Sequence, residues 1–235
     1  MSLTSIKALA CDVFGTVVGT HDNLVRDLES CGASQGIMLD WERVVERWRR
    51  ARRLSISAIQ GGEMPWAPLH LIHRQTLAEI LAQFNVMTLS AADLDHWSQA
   101  WHRLTPWPDV VAGLTRLRRR FIVASLSDGN IALLVNMAKH GALPWDCVLS
   151  AELARQYKPA PEVYLTAVGL LGLKPSEVLM VAAHDWDLEG AQAAGLRTAF
   201  IQRSLDTISV GTSSHATWDM EANDFNDLAD QLECA

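Results

Sequence analysis

The sequence predicts an α/β protein, in which a parallel sheet is covered by helices on both faces and an α-helical subdomain follows the first strand. Short apolar segments, typical of buried parallel strands, alternate with helical segments over most of the chain. The alternation stops once, between about residues 20 and 104, where the pattern is helical throughout. We therefore expect residues 1–19 and 105–235 to form an α/β core domain, and residues 20–104 a helical cap domain.

Five apolar segments are candidates for the strands of the core. They cover residues 6–13, 121–126, 147–149, 178–183 and 198–201. The helical segments between and beside them lie around residues 109–119, 130–141, 160–171 and 187–194. Repeats of this kind form βαβ units, which place their strands in one parallel sheet. Gly141, Gly172 and Gly195 follow three of these helices, and we expect each to adopt the left-handed conformation that ends a helix.

The cap sequence predicts three amphipathic helices, at about residues 40–59, 68–84 and 90–103. In the first of them, Trp41, Val45 and Trp48 recur at the spacing of one helix face. We expect that face to be buried.

Length, composition and charge limit the classes of protein to which the chain can belong. Its 235 residues suffice for one large domain, or for a core with an inserted subdomain. A net charge of −7 argues against a nucleic-acid surface, and no apolar run approaches the roughly 20 residues of a membrane-spanning helix. The N-terminus lacks the layout of a signal peptide, and the four cysteines form no Cys-x-x-Cys pair. We therefore expect a cytoplasmic protein with reduced thiols.

Polar residues follow the predicted strands at several points. Residues 12–16 end the first strand and residues 127–130 the second, whereas residues 157–159 precede a helix and residues 184–187 follow a later strand. Open parallel sheets bind ligands beyond the carboxyl ends of their strands. Each segment alone is typical of a turn or a helix cap, but together they predict a functional site at this edge of the sheet.

These segments resemble the motifs of the haloacid dehalogenase superfamily, and specifically its type II L-2-haloacid dehalogenases. The resemblance lies in Asp-x-Phe-Gly-Thr, Leu-Ser-x-Gly, Tyr-Lys-Pro-x-x-x-Val-Tyr and Trp-Asp-x-x-Gly-Ala, and it covers nearly the whole chain. It implies a Rossmann-like core with a helical cap. It also implies a hydrolase that converts short 2-haloalkanoic acids into 2-hydroxy acids and halide through an aspartyl ester, without cofactor or metal. The resemblance is compatible with a homodimer, and implies neither a nucleic-acid nor a membrane partner.

Two positions distinguish this chain from the phosphatases of the same superfamily. Those enzymes use Asp-x-Asp, whereas Phe14 stands at the second aspartate position here. They also carry a metal-binding carboxylate four residues before the later aspartate, Asp187, where this chain has Ala183. Without a metal ion, nothing neutralises a phosphate beside a carboxylate nucleophile. A phosphatase and a catalytically decayed protein that binds a small anion are the alternatives.

The resemblance assigns a role to each residue of the motifs. Asp12 is the nucleophile that attacks C2 with inversion, and Lys158 keeps it ionised. Asp187 orients Lys158 and helps to activate the water that hydrolyses the ester. Thr16 and Ser127 bind the nucleophile and the substrate carboxylate.

Arg49 matches the arginine that contacts the departing halide in this family. It shares a helix face with Val45 and Ile56, at the edge of the apolar stripe. The alternative for Arg49 is a solvated face, which a run of arginines usually forms, and Arg43, Arg47 and Arg50 share a different face of the helix. The arginines that surround Arg49 are Arg43, Arg47, Arg50, Arg52 and Arg53.

Other positions complete the predicted pocket or depart from the family pattern. Tyr164 matches a tyrosine that supports the charged cluster, and Phe14 and Trp186 match apolar walls. Asp128 replaces an asparagine, which puts a potential anion beside an anionic substrate. His184 also stands where many dehalogenases have an asparagine, and it is interpreted either as a pocket residue or as a core histidine. Trp66 is a weaker candidate for an apolar wall, and the preferred halogen and chain length stay open.

Overall fold

Strands of the computed structural model, which describes residues 5–203 and 217–234, form one parallel sheet. The strands are β1 Ala8–Cys11, β2 Ile122–Ser127, β3 Cys147–Ser150, β4 Val178–Ala182, β5 Arg197–Ile201 and β6 Met220–Ala222. Their order in the sheet is β3-β2-β1-β4-β5-β6. The chain therefore builds outward from β1 on one side and restarts at β4 on the other. Sheets of this kind bind ligands at such a reversal of strand order.

Between residues 20 and 104, after β1, the structure contains helices in place of strands. They are α1 His21–Ser34, α2 Trp41–Gln60, α3 Leu69–Gln83, α4 Ala91–Ser98 and a 3-10 helix at Gln99–Arg103. These five elements are named the cap helices below. The inserted helical subdomain is confirmed, with α1 as a helix that the sequence analysis missed. The boundaries of the two domains stay predictions.

Local sequence explains where two of the cap helices begin. The Asp40 side chain accepts a hydrogen bond from the Arg43 N–H at 3.1 Å, which caps the first turn of α2. Ser90 and Asp93 form a reciprocal capping box at the start of α4. These caps satisfy N–H groups that a helix terminus leaves without intrahelical partners.

The remaining helices pack on the two faces of the sheet. They are α5 Val110–Leu117, α6 Ile131–His140, α7 Pro161–Leu170, α8 Asp185–Ala193 and α9 Phe225–Gln231. Leu9 and Leu179 point into a core shared with α5, α6, α9 and the cap helices. Ala10 and Met180, their neighbours along the strands, point into a second core shared with α7 and α8. The strands are thus apolar on both faces, as predicted.

The predicted left-handed glycines give a mixed result. Gly172 and Gly195 have φ values of 65° and 87°, as predicted. Gly141 has a φ of −96°, and the next residue, Ala142, adopts the left-handed conformation with a φ of 50°. A Cβ at position 141 would lie 2.6 Å from Pro106 Cγ. The prediction for Gly141 was therefore wrong, because close packing and not backbone conformation requires a glycine there.

The four cysteines, Cys11, Cys31, Cys147 and Cys234, are free thiols. Burial is the largest cause that raises the pKa of each thiol above its ordinary value. In the part of the chain that the structure describes, no helix combines the length and apolar character needed to cross a membrane.

Candidate active site

Asp12 follows β1 directly and lies at the reversal of strand order. Its backbone N–H donates to the carbonyl of Val181 in β4 at 2.9 Å. Its Oδ2 accepts a hydrogen bond from Thr16 Oγ1 at 2.8 Å. Thr16 Oγ1 in turn accepts the Ala183 N–H at 2.9 Å. The ends of two neighbouring strands therefore fix the Asp12 carboxylate in place.

Lys158 joins Asp12 to Asp187 in a buried cluster. Lys158 Nζ lies 3.3 Å from Asp12 Oδ1 and 2.7 Å from Asp187 Oδ2. The hydroxyl of Tyr164, in α7, donates to the second oxygen of Asp187, Oδ1, at 2.7 Å. Lys158 is 2% exposed and Asp187 is fully buried. Each carboxylate oxygen of Asp187 thus accepts a hydrogen bond, and this arrangement suits Asp187 to hold Lys158 in position.

Burial disfavours the charged forms of the residues in this cluster. For Lys158, the neighbouring carboxylates offset that penalty. Burial alone would lower the pKa of Lys158, but the carboxylates of Asp187, Asp12 and Asp128 raise it above its ordinary value. Burial raises the pKa of Asp187, against the influence of the Lys158 charge. Burial and the charge of Asp187 raise the pKa of Tyr164, so its hydroxyl stays protonated and donates.

A cavity of about 360 Å³, named the main cavity below, separates this cluster from the cap helices. The cap helices contribute Arg49, Arg52, Arg53, Ile56, Gln60 and Trp101 to its wall. The side of the sheet contributes Phe14, Asp128, Lys158, His184 and Trp186. Lys158 and His184 approach the Asp12 carboxylate to 3.3 Å and 3.6 Å, so Asp12 adjoins this cavity.

His184 belongs to the wall of the main cavity, which decides between its two interpretations in favour of a pocket residue. Its Nε2–H donates to the carbonyl of Phe14 at 2.9 Å, and the same nitrogen lies 3.6 Å from Asp12 Oδ2. Its ring stacks on Trp186, with centroids 5.7 Å apart. Trp186 itself is 44% exposed, so this stacked pair forms the outer rim of the site.

Asp128 lies in the cavity wall between the sheet and the cap helices. Its Oδ1 accepts the backbone N–H of Lys158 at 3.0 Å. Burial raises the pKa of Asp128 to about 6, while the charges of Lys158 and Arg52 act in the opposite direction. Asp128 therefore changes its charge near neutral pH.

Six predicted residues are not part of the wall of the main cavity. Asp12, Thr16, Tyr164 and Asp187 belong to the hydrogen-bonded cluster beside it, whereas Ser127 and Trp66 lie apart from that cluster. Ser127 is fully buried, and its Oγ accepts the N–H of Gly129 at 3.2 Å. Trp66 packs against the guanidinium of Arg155, 4.8 Å from its ring centroid. The structure thus does not bring Trp66 into the site, and it brings Ser127 only to the adjoining strand end.

Arg52 and Trp101 are pocket residues that the sequence analysis missed. The Arg52 guanidinium carbon lies 5.2 Å from the ring centroids of both Phe14 and Trp101. Arg52 was named only among the arginines around Arg49 and was given no place in the pocket. Helical spacing could have found it, because Arg52 lies seven residues after the buried Val45 and so on the same face of α2. No motif marks Trp101.

Among the described residues, no three His, Cys, Asp or Glu side chains are arranged to hold a metal ion. The position that carries a metal-binding carboxylate in superfamily phosphatases is Ala183, which offers only its N–H to Thr16.

Fold and site together define the class: an α/β protein with a buried carboxylate–lysine cluster between a parallel sheet and a helical cap. The model of the haloacid dehalogenase-like hydrolase family matches residues 6–195, and the chain belongs to that family. The resemblance inferred from the motifs is thereby confirmed.

Individual relatives place the chain within this family more closely. It is 30% identical over 202 residues to (S)-2-haloacid dehalogenase 4A of Burkholderia cepacia, covering 85% of this chain and 84% of that protein. It is also 30% identical over 202 residues to (S)-2-haloacid dehalogenase 1 of a Pseudomonas species, covering 84% and 85%. A crystal structure of an L-2-haloacid dehalogenase superposes with a TM-score of 0.91 at 39% identity, over 98% of this chain and 100% of that one. A defluorinating L-2-haloacid dehalogenase gives a TM-score of 0.90 at 37% identity, over 97% and 95%.

Proposed function

We propose that this chain hydrolyses short 2-haloalkanoic acids of the (S) configuration to 2-hydroxy acids and halide. The observation that carries the proposal is the buried contact between Asp12 and Lys158 at the edge of a cavity lined by aromatic rings and arginines. The relatives named (S)-2-haloacid dehalogenases support the same reaction.

In the first step, a carboxylate oxygen of Asp12 attacks C2 of the substrate from the side opposite the halogen. A carbon–oxygen bond forms, the carbon–halogen bond breaks, and the halide leaves with the bonding electrons, so C2 is inverted. The negative charge is shared between the two ends of the transition state. The ring of Phe14, in the cavity wall, keeps water away from that dispersed charge.

In the second step, water attacks the carboxyl carbon of the Asp12 ester. The bond from this carbon to the ester oxygen, the Asp12 oxygen that attacked C2, breaks, and the 2-hydroxy acid departs with that oxygen and one proton of the water. The other proton is released as the Asp12 carboxylate re-forms. Lys158, 3.3 Å from Asp12 Oδ1, stabilises the returning negative charge.

Asp187 and Tyr164 act in this scheme by holding Lys158. The two oxygens of Asp187 are bonded to Lys158 and Tyr164, and the side chain is fully buried. This geometry supports a role in positioning the lysine. The part of Asp187 in activating water stays a prediction from the family resemblance.

Single-turnover labelling tests the covalent mechanism. With enzyme in excess over (S)-2-chloropropionate in ¹⁸O-water, the label is expected on Asp12 and not in the lactate product, because water attacks the ester at the carboxyl carbon. Asp12→Asn, a nearly isosteric change, is the matched variant and is expected to release no halide while remaining folded. Label in the product alone would mean direct attack of water on C2.

The same preparation separates dehalogenation from the two alternatives. We expect halide release that EDTA does not reduce and Mg²⁺ does not raise, because Phe14 and Ala183 replace two carboxylates of the phosphatase site. Efficient turnover of p-nitrophenyl phosphate with Mg²⁺ would support a phosphatase. Binding of haloacids without any turnover would support a decayed protein that binds small anions.

We also propose that the protein is cytoplasmic and forms a homodimer. The homodimer is expected because related enzymes are commonly dimers. Size-exclusion chromatography with light scattering distinguishes it from a monomer of 25.9 kDa.

A further inference from the structure

Arg203 is a buried arginine at the same edge of the sheet as the Asp12 cluster. It stands two residues after the end of β5, and its side chain is only 7% exposed. A guanidinium is costly to bury unless its charge is paired and its N–H groups are bonded. The partners of Arg203 therefore indicate which part of the molecule this buried charge serves.

Asp109, directly before α5, pairs with Arg203 through both carboxylate oxygens. Arg203 donates from its two terminal nitrogens to the two oxygens of Asp109, each at 2.9 Å. Asp109 Oδ2 also accepts the backbone N–H of Phe225 at 2.9 Å. Burial would raise the pKa of Asp109, but the bonds from Arg203 and from the Phe225 N–H lower it below its ordinary value, so the carboxylate stays ionised.

This pairing fixes the plane of the Arg203 guanidinium. A bidentate contact between two planar groups allows one orientation. The rings of Trp107 and Phe225 restrict it further, each with its centroid 5.6 Å from the guanidinium carbon. The remaining side-chain N–H, at Nε, therefore has a fixed direction.

That direction leads to the nucleophile. Arg203 Nε donates to the backbone carbonyl of Thr16 at 2.9 Å. Thr16 is the residue whose hydroxyl donates to Asp12 Oδ2 at 2.8 Å. Arg203 thus holds the backbone of Thr16, and the Thr16 side chain holds Asp12.

The same guanidinium bonds both connections between the core and the cap helices. Residues 12–20 connect β1 to α1, and residues 104–109 connect the 3-10 helix to α5. The two connections pair with each other, since the Trp107 N–H donates to the Val17 carbonyl at 3.0 Å and Val18 forms an antiparallel bridge with Pro106. Arg203 contacts the first connection at Thr16 and the second at Asp109, so it joins them where they meet the core.

We propose that Arg203 is a positioning residue for the dehalogenation: held by Asp109, it fixes the Thr16 backbone and so orients Asp12 Oδ2 for attack on C2. This inference rests on the proposed function. Displacement at C2 requires the attacking oxygen close to the carbon and in line with the bond that breaks, and a misplacement of 1 Å costs up to about 100-fold in rate. Arg203 is not part of the wall of the main cavity, so it affects the rate of attack and not the binding of substrate.

Single-turnover kinetics with Arg203→Lys and Asp109→Asn test this role. The lysine keeps the positive charge but cannot bond both Asp109 oxygens and the Thr16 carbonyl in one fixed geometry. Rapid quenching and intact-mass measurement follow ester formation on Asp12 with (S)-2-chloropropionate. We expect the rate constant of Arg203→Lys to fall about 10- to 100-fold. The affinity for propionate, which lacks a leaving group, should stay within about twofold of the wild type.

Arg103→Lys is the matched control. Arg103 forms a similar bidentate pair with Asp27 in the cap helices, with both bonds at 2.7 Å. Neither residue is part of the wall of the main cavity. Arg103→Lys should therefore form the ester at the rate of the wild type, even where its thermal stability falls.

The ¹³Cγ resonance of Asp12 reports the position of the nucleophile without turnover. In protein labelled with ¹³C-aspartate it is assigned by its loss in Asp12→Asn. We expect this resonance to shift or broaden in Arg203→Lys and in Asp109→Asn, and to stay in place in Arg103→Lys.

The outcomes separate a positioning role from a structural one. An Arg203→Lys protein that melts at a lower temperature but keeps the wild-type rate and Asp12 resonance would overturn the proposal. So would weaker propionate binding at an unchanged rate constant, since Arg203 would then act on binding. If circular dichroism shows that Arg203→Lys does not fold, the same measurements on Asp109→Asn decide. A wild type that releases no halide from 2-chloropropionate refutes the proposed function alone, and the Asp12 resonance still decides whether Arg203 positions Asp12.

Discussion

At the scale of single residues, Lys158 carries a full charge in a place from which water is almost excluded. Burying one charge is unfavourable, and a partner of opposite sign must offset the loss of hydration. Lys158 has two partners at its ammonium group, Asp12 and Asp187. The three charges therefore depend on one another, and removing the central one leaves two buried carboxylates without compensation.

Lys158→Ala is expected to lose nearly all halide release, because the Asp12 carboxylate then loses the buried positive charge that lies 3.3 Å from its Oδ1. Lys158→Arg retains a charge but not the compact ammonium geometry, and it should keep more activity than the alanine variant. Breaking the buried pair should also lower the free energy of unfolding of Lys158→Ala by roughly 3–5 kcal/mol. Halide release and urea unfolding measure the two effects, with the exposed Lys139→Ala as the control. A rate near that of the wild type in Lys158→Ala would show that Lys158 takes no part in catalysis.

Asp128 titrates slightly below neutral pH, since burial raises its pKa to about 6. Its ionised form opposes an anionic substrate in the same cavity. We therefore expect kcat/KM for 2-chloropropionate to fall by roughly three- to tenfold as the pH rises through about 6. Asp128→Asn should lack this fall, because its amide stays neutral. An Asn variant that is inactive at every pH would mean that the carboxylate itself takes part in the reaction.

The same titration affects stability, with a sign that follows from the raised pKa. The contribution of Asp128 to the free energy of unfolding is fully present below its unfolded pKa of 3.8, and it is lost as the pH rises through about 6. Asp128→Asn should therefore be more stable than the wild type above pH 6, by at most about 3 kcal/mol. Urea unfolding at an acidic and a neutral pH measures this difference, which should vanish below about pH 4.

At the scale of elements, the approach of α8 to α7 controls how Asp187 is held. Gly190 lies nearly one turn after Asp187 in α8. A Cβ at that position would lie 2.7 Å from Pro159 Cβ and 2.8 Å from the hydroxyl oxygen of Tyr164. Only a glycine allows the Tyr164 hydroxyl to reach Asp187 past the helix backbone.

Gly190→Ala is expected to destabilise the protein and to reduce halide release, because the methyl group displaces Tyr164 from Asp187. An alanine in a helix is ordinarily more favourable than a glycine by about 0.5–1 kcal/mol. Gly169→Ala in α7 is the matched control, since nothing lies within 4 Å of a Cβ there. Thermal unfolding should show a gain for Gly169→Ala and a loss for Gly190→Ala. A gain in both would mean that Tyr164 adjusts without consequence.

The helices and strands that could be predicted are those whose buried residues form an apolar run or stripe in the sequence. Strands β1 to β5 are short apolar segments, and each was predicted within a few residues of its ends. Strand β6, Met220–Ala222, is only three residues long with an exposed Glu221 at its centre, so no apolar run marks it. Helix α9 follows it and was also missed. In α1, buried Leu24 and Leu28 are surrounded by polar residues, which leaves a weak apolar stripe.

The residues of the site also divide into those that a sequence pattern marks and those that it does not. Asp12, Lys158 and Asp187 stand at strand ends or helix starts, where a polar residue after an apolar run is conspicuous, and the structure brings them together. Arg52 and Trp101 enter the cavity from helices of the cap. Helical spacing places Arg52 on the buried face of α2. That this face and Trp101 line the cavity depends on how the cap packs on the sheet, which local sequence does not encode.

At the scale of the whole molecule, hydrogen bonds connect the cap helices to the loop that carries Lys158. Gln60 Nε2, at the end of α2, donates to the carbonyl of Lys158 at 2.6 Å. The hydroxyl of Tyr157 donates to the carbonyl of Ala67 at 2.8 Å. A displacement of the cap would break a bond to the residue that neutralises Asp12, so cap position and site geometry are coupled.

The burial of Cys11 and Cys234, and the partial burial of Cys31 and Cys147, affect how well such an enzyme resists alkylation by its own substrates. Bromoacetate and related haloacids are alkylating reagents, and the thiolate is the form of cysteine that they attack. Because burial raises the pKa of Cys11, Cys31, Cys147 and Cys234, little thiolate is present at neutral pH. Mass spectrometry after incubation with bromoacetate, or with neutral iodoacetamide, should find the buried Cys11 and Cys234 unmodified in the folded chain and the partly buried Cys31 and Cys147 modified slowly. The urea-unfolded chain should be labelled at all four thiols. Rapid labelling of the folded chain would contradict this expectation. Chemical self-protection then comes from the hydrophobic core, and a substitution that loosens the core would shorten the working life of the enzyme even where the rate per turnover is unchanged.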